Sequence, residues 1–220
     1  LHPRVRRQRQ MCIRDRYNGM GLTQKMIDAY RMEDGKTIEE AMAVGEYKEG
    51  PNDFTSGPRD FSDYHLNSGV WQMYANREMR FYACVGFNGC YWPASSTTDG
   101  SYRLQTVKYC MDGNAGKYAG TVGSDNYTPT GYVIKKYISS YDAWRGNSSE
   151  RYEKGFPIIR YAEILLSYAE ALNQLTTTHA ITLPTGESYS LSRDMNEIAK
   201  AFNQVRYRAG LPGLTQAQLE

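Results

Sequence analysis

The stretch FPIIRYAEILLSYAEALNQL, at 156–175, decides the fold class. Pro157 suits the first turn of a helix, because its fixed φ is helical and its missing N–H would have had no partner there. Two apolar stripes run along the predicted helix: Ile158, Ala162, Leu165, Ala169 and Leu172 on one side, and Tyr161, Ile164, Tyr168, Ala171 and Leu175 on another. A helix that is apolar on more than one face is expected to lie between neighbours. The small alanines at 162, 169 and 171 let adjacent helices approach closely, as in stacked helical-hairpin repeats.

Downstream, a second helix is expected from Asp194, with Glu197 three residues on as a capping pair. It carries one clean stripe of Met195, Ile198, Phe202, Val205 and Ala209, and Gly210 and Pro212 end it. One helix pair does not close on itself, so the chain reads as part of a larger, mainly α-helical scaffold.

Upstream the pattern changes. In MRFYACVGFNGCYW, at 79–92, Phe81, Ala83, Val85 and Phe87 alternate with Tyr82, Cys84 and Gly86. Period two predicts a strand, and Asn88 with Gly89 predicts a hairpin turn into 90–93. Further strands are expected within YRLQTVKYCM at 102–111 and GYVIKKYI at 131–138, and a helix turn over 69–74. Tracts rich in Gly, Pro, Asp and Ser at 46–67 and 94–130 read as long excursions. A first helix is expected after Thr23, a good N-cap, running through QKMIDAYRM until Asp34 and Gly35 stop it.

The first sixteen residues, LHPRVRRQRQMCIRDR, hold six arginines and suggest a nucleic-acid patch at first sight. The string MCIRDR at 11–16 resembles the translation of a transposase adapter used in sequencing libraries, so 1–16 is expected to be a non-native, disordered artefact and 17–220 a partial domain. Without it, 26 basic and 24 acidic residues become 20 and 23, and the formal charge moves from +2 to −3. The case for a polyanion partner goes with it, since nucleic-acid affinity is largely phosphate neutralisation by clustered Lys and Arg.

Nineteen tyrosines, three tryptophans and twenty glycines, with negative mean hydropathy, form a balance found in extracytoplasmic sugar-handling proteins. Cys84, Cys90 and Cys110 remain after Cys12 is set aside. They show no CxxC and no His at ligand spacing, so no metal site is expected. Cys84 and Cys90 flank the Asn88–Gly89 turn, which allows a disulfide, although buried thiols are the expected state.

Five segments in order carry a family resemblance: NGMGLTQKMIDAYRMEDGK at 18–36, YANREMRFYACVGFNGCYW at 74–92, GYVIKKYI, FPIIRYAEILLSYAEALNQ, and AFNQVRYRAGLPGLT at 201–215. Together they resemble the SusD/RagB family, with Glu78 and Met79 standing where the family usually has Asp and Pro. The resemblance implies a SusD-like, TPR-like helical scaffold with long loops and a few short strands, truncated here at both ends. It further implies a lipid-anchored protein of the cell outer membrane, exposed at the surface, whose anchor lies outside this chain. Such a protein captures an oligosaccharide or other polymer fragment and hands it to a SusC-like TonB-dependent transporter, with no catalysis, cofactor or nucleic-acid partner.

Capture of a glycan needs aromatic faces against sugar rings and a few polar groups for the hydroxyls. Trp92, near the predicted turn, Trp144, in the polar run SYDAWRGNSSE, and Trp71 offer the largest faces, with Tyr91 and Tyr64 behind them. Arg80, Arg160, Arg206 and Arg208 are expected to tie loops and helix ends through carboxylates or carbonyls. His65 and His179 stand apart from any Ser or Cys pattern, so no triad is built. Two other readings stay open: a glycoside hydrolase fragment, permitted by loop carboxylates such as Asp99, Asp112 and Asp125, and a purely structural helical-repeat scaffold.

Overall fold

The computed structural model describes residues 21–50, 59–61, 64–92, 105–118, 127–136, 138–139, 155 and 157–219. They fall into two compact units, Leu1–Lys154 and Gly155–Glu220. The fold is mainly helical, with short strands.

In the first unit α1 spans Gln24–Asp28, opened by Thr23, whose Oγ1 accepts from the Met26 N–H. It ends well before Asp34, where the sequence predicted its stop. The carbonyls that would continue it are taken elsewhere: those of Ile27 and Tyr30 accept from the Arg77 guanidinium, and that of Arg31 accepts from the Glu78 N–H. Helix α2, Ile38–Ala43, starts with a complete capping box between Thr37 and Glu40. Thr37→Ala is expected to lower stability by about 1 kcal/mol, read as a fall in thermal midpoint. An unchanged midpoint would show that α2 is held by the burial of Ile38 and Ala41 alone.

Strands β1 (Arg59–Phe61), β2 (Tyr64–Leu66), β4 (Cys90–Trp92) and β5 (Gln105–Val107) form an antiparallel sheet in the order β1-β2-β4-β5. A 3-10 turn at Gln72–Tyr74 follows β2 and matches the helix turn predicted for 69–74. Between it and β4 lie α3 (Met79–Cys84) and β3 (Val85–Gly86), and β3 pairs with β6 (Val133–Ile134).

Residues 79–84 are therefore helical where the alternation predicted a strand. Burial there does not follow period two, for Phe81 and Tyr82 are both buried. The Tyr82 hydroxyl donates to the Tyr74 carbonyl at 2.6 Å and accepts from the Arg77 N–H, which holds the segment in a helical turn. A short apolar run does not separate helix from strand on its own pattern. The Asn88–Gly89 turn does form, with Gly89 at φ +84°. It joins strands of two different sheets and makes no hairpin, because the Asn88 side chain and the Gly89 N–H bond instead to the chain around β5. Cys84, Cys90 and Cys110 are free thiols.

The core of this unit is aromatic. Tyr74, Phe81, Tyr82 and Phe87 pack as one group, with Phe81 and Phe87 stacked at 5.2 Å and Tyr74 and Phe87 at 4.6 Å. Ile27, Leu66, Val85, Trp92 and Val133 close around them.

The second unit pairs α4 (Tyr161–Gln174) with α5 (Met195–Arg208). A hairpin of β7 (His179–Thr182) and β8 (Ser188–Leu191) lies between them in sequence, and a short α6 (Gln216–Leu219) ends the unit. Helix α4 begins after Arg160, four residues later than Pro157 suggested, and Ile158 and Ile159 are exposed. One stripe packs as expected, with Ala169 and Leu172 buried against Ile198 and Ala201. The second stripe is open, since Tyr161, Ile164 and Tyr168 are exposed, so the described residues of this unit do not cover the helix on all sides. Asp194 caps α5 by accepting from the Asn196 and Glu197 N–H groups.

The chain beyond α5 is tied back onto it. The Asn203 amide donates to the Leu214 carbonyl at 2.9 Å and accepts from the Leu214 N–H at 2.7 Å, and Arg206 Nε donates to the Pro212 carbonyl at 2.8 Å.

Candidate functional site

The four-stranded sheet sorts the predicted aromatics by strand alternation. Cys90 and Trp92 face the core, each 2% exposed, so Tyr91 between them stands on the opposite face and is half-buried. Directly across the ladder from Tyr91 is Thr106 of β5. The Thr106 hydroxyl accepts from the Asn67 amide at 2.8 Å. This face therefore sets an aromatic ring beside an amide and a hydroxyl, a combination suited to a sugar's C–H face and hydroxyl groups.

Trp92 was expected at a ligand, and its burial corrects that reading. Its indole is a core side chain, with the Lys135 ammonium 5.6 Å from the ring centroid. Lys135 also donates to the Tyr91 carbonyl at 3.1 Å, and burial holds its ammonium below the usual lysine range. Trp71 is half-buried and stacked on Tyr74 with ring centroids 5.8 Å apart. Tyr64 belongs to β2 by its backbone, and Trp144 lies outside the described residues. Tyr91 and Trp71 are thus the predicted aromatics with partly open side chains among those described. Asn67 and Thr106 carried no signal in the sequence; the pairing of β4 with β5 brings them beside Tyr91.

The arginines divide as their burial suggests. Arg80 chelates the buried Glu78 carboxylate through Nε and Nη2, at 3.3 and 2.9 Å, and Arg206 ties the chain after α5, both in structural roles. Arg160 and Arg208 are exposed. His179 sits exposed on β7, 3.3 Å from the Thr177 hydroxyl. Among the described residues no group of three or more His, Cys, Asp or Glu gathers to hold a metal ion, and no helix is long and apolar enough to cross a membrane.

No curated protein matches the chain. A solved SusD-like protein from Bacteroides fragilis is similar in structure, with a TM-score of 0.51 and 26% sequence identity over 91% of this chain and 31% of that one. The chain thus spans 31% of that protein's length. The SusD_RagB family model, described as the SusD family, matches residues 6–220, and by that near-complete match the chain belongs to the SusD family.

Proposed function

We propose that this chain is part of a non-catalytic capture protein that binds an oligosaccharide at the cell surface. It delivers the ligand to a SusC-like TonB-dependent transporter from a lipid-anchored position on the outer membrane. Family membership carries the reading. The partly open Tyr91 face, with Asn67 and Thr106 beside it, supports it, as does Trp71. The proposed ligand contacts are Trp71, Tyr91, Tyr64 and Trp144. The pair α4–α5, with its uncovered stripe of Tyr161, Ile164 and Tyr168, fits a TPR-like stack in which further helices continue the layer.

A glycan array on the chain, followed by calorimetry on each hit and a reducing-end assay for turnover, tests this. Binding without turnover is the expected result. Tyr91→Ala and Trp71→Ala are each expected to weaken a hit by about tenfold, the size of one aromatic contact. Turnover would favour a glycoside hydrolase fragment, and silence in both assays would favour a structural scaffold.

A further inference from the structure

The loop after β5, 108–118, is a small closed structure. The Asn114 side chain accepts from the Lys108 N–H at 2.8 Å and donates to the Thr106 carbonyl at 2.9 Å. The Ala115 N–H returns to the Lys108 carbonyl, and the Tyr118 N–H to the Met111 carbonyl, both at 3.0 Å. Asn88 holds the near end by accepting from the N–H groups of Tyr109 and Cys110. The turn is so tight that a Cβ on Gly116 would collide with the Cys110 carbonyl. These six hydrogen bonds from backbone N–H groups or the Asn114 amide therefore fix the loop, at whose far end Lys117 and Tyr118 stand.

At that end three side chains meet. The Lys117 ammonium lies 5.9 Å from the Tyr118 ring centroid and 5.6 Å from that of Tyr127. Tyr118 is 66% exposed and Met111 49% exposed, an open apolar surface on this loop. Among the described residues Lys117 has no carboxylate partner. An ammonium between two π-faces keeps its three N–H donors for a ligand while the rings hold its position.

We propose that Lys117, Tyr118 and Tyr127 form a subsite for an acidic sugar, a hexuronic acid residue of the captured oligosaccharide. The ring's C–H face stacks on Tyr118, and the carboxylate at its rim pairs with the Lys117 ammonium. Neutral sugars meet the same aromatic face but leave the cation unmatched. The subsite rests on the capture reading and adds to it the charge class of the ligand.

Matched pairs that differ in charge alone test this on the 220-residue chain by calorimetry. One pair is tetragalacturonate against its full methyl ester, and the other is xylotetraose carrying a glucuronic acid branch against the same tetraose carrying a glucose branch. At least one acid is expected to bind about tenfold more tightly than its neutral partner, with the gap shrinking as salt rises. Lys117→Met is expected to close the gap by weakening the acid alone, and Tyr118→Ala to weaken both members, with circular dichroism confirming the fold of each variant. Equal binding within both pairs, or a preference that survives Lys117→Met, overturns the subsite and leaves capture standing. Failure of every glycan on the array to bind overturns the capture reading itself.

Discussion

Replacing Arg77 by alanine is expected to lower the stability of the first unit by about 3–5 kcal/mol, a large part of what a domain of this size possesses. Arg77 is 1% exposed. Its Nη2 donates to the carbonyls of Ile27 and Tyr30 at 2.6 and 2.9 Å, and its Nη1 to that of Met73 at 3.1 Å. One side chain thus supplies donors to the end of α1 and to the 3-10 turn, segments about fifty residues apart. Alanine would strand the carbonyls of Tyr30 and Met73, each worth about 1–3 kcal/mol when buried and unpaired, while that of Ile27 keeps the Tyr30 N–H. It would also open a cavity where the guanidinium lies 4.7 Å from the Phe81 ring centroid. Burial pulls the guanidinium below its ordinary pKa, yet an arginine stays charged in proteins, so the bonds are charge-assisted. Arg77→Lys is expected to recover less than half of the loss, because an ammonium lacks the planar fork that reaches carbonyls on two segments. Urea unfolding followed by near-ultraviolet circular dichroism measures this. A midpoint for Arg77→Ala equal to that of the unaltered chain would sink the idea.

The same residue shows what a sequence reveals and what it hides. Arg77 stands inside the segment that carries the family resemblance, yet the arginines singled out from sequence were Arg80, Arg160, Arg206 and Arg208. Arg80 and Arg206 do tie structure together, whereas Arg160 and Arg208 are exposed and the deeply buried cation is Arg77. Nothing in a one-dimensional pattern marks which of two arginines, three positions apart, meets three carbonyls. The helix pair α4–α5 was legible because periodicity of 3.6 over fourteen residues is a strong signal, and the Asp194 cap of α5 is local, whereas α4 has no side-chain cap and its start was misplaced. Helix α2 was not anticipated: its capping box of Thr37 and Glu40 opens only six helical residues inside a polar run. The strand predicted over 79–87 failed in its first half because its apolar spacing fits both periods and the tertiary bonds of Tyr82 chose the helix.

Of the aromatic candidates, Tyr91 was named only behind the tryptophans, and its neighbours Asn67 and Thr106 depend on strand pairing between distant segments. Trp92 was misread for a related reason. A tryptophan next to a turn reads as open, but register puts it on the inner face with Cys90, and Lys135, forty-three positions on, lies under it. The proposed ligand face draws on Asn67 and Thr106, which lie outside the five segments that carry the family resemblance. Recognition of the family therefore runs ahead of recognition of the ligand.

Phe81→Ala is the second large effect, expected to destabilise the first unit by about 3–5 kcal/mol. The ring is fully buried and meets Phe87 at 5.2 Å, Tyr82 at 5.2 Å and Tyr30 at 5.9 Å, the latter two edge-on. It is also the face on which the Arg77 guanidinium rests. Phe81→Leu separates the two roles, since it keeps most of the volume and loses the ring's quadrupole. It is expected to lose about 1–2 kcal/mol, from aromatic pairing and the cation–π contact together. If the guanidinium and the ring act as one assembly, Arg77→Ala in the Phe81→Leu background should lose less than in the unaltered chain, giving a coupling of about 0.5–2 kcal/mol. Strict additivity in that cycle would mean that Arg77 acts through its carbonyl bonds alone. Arg77 precedes α3 and Phe81 lies in it, in the segment that runs on through β3 to β4. A Phe81→Leu variant that stays folded should therefore keep any glycan binding that depends on Tyr91, while Phe81→Ala should lose it along with the fold.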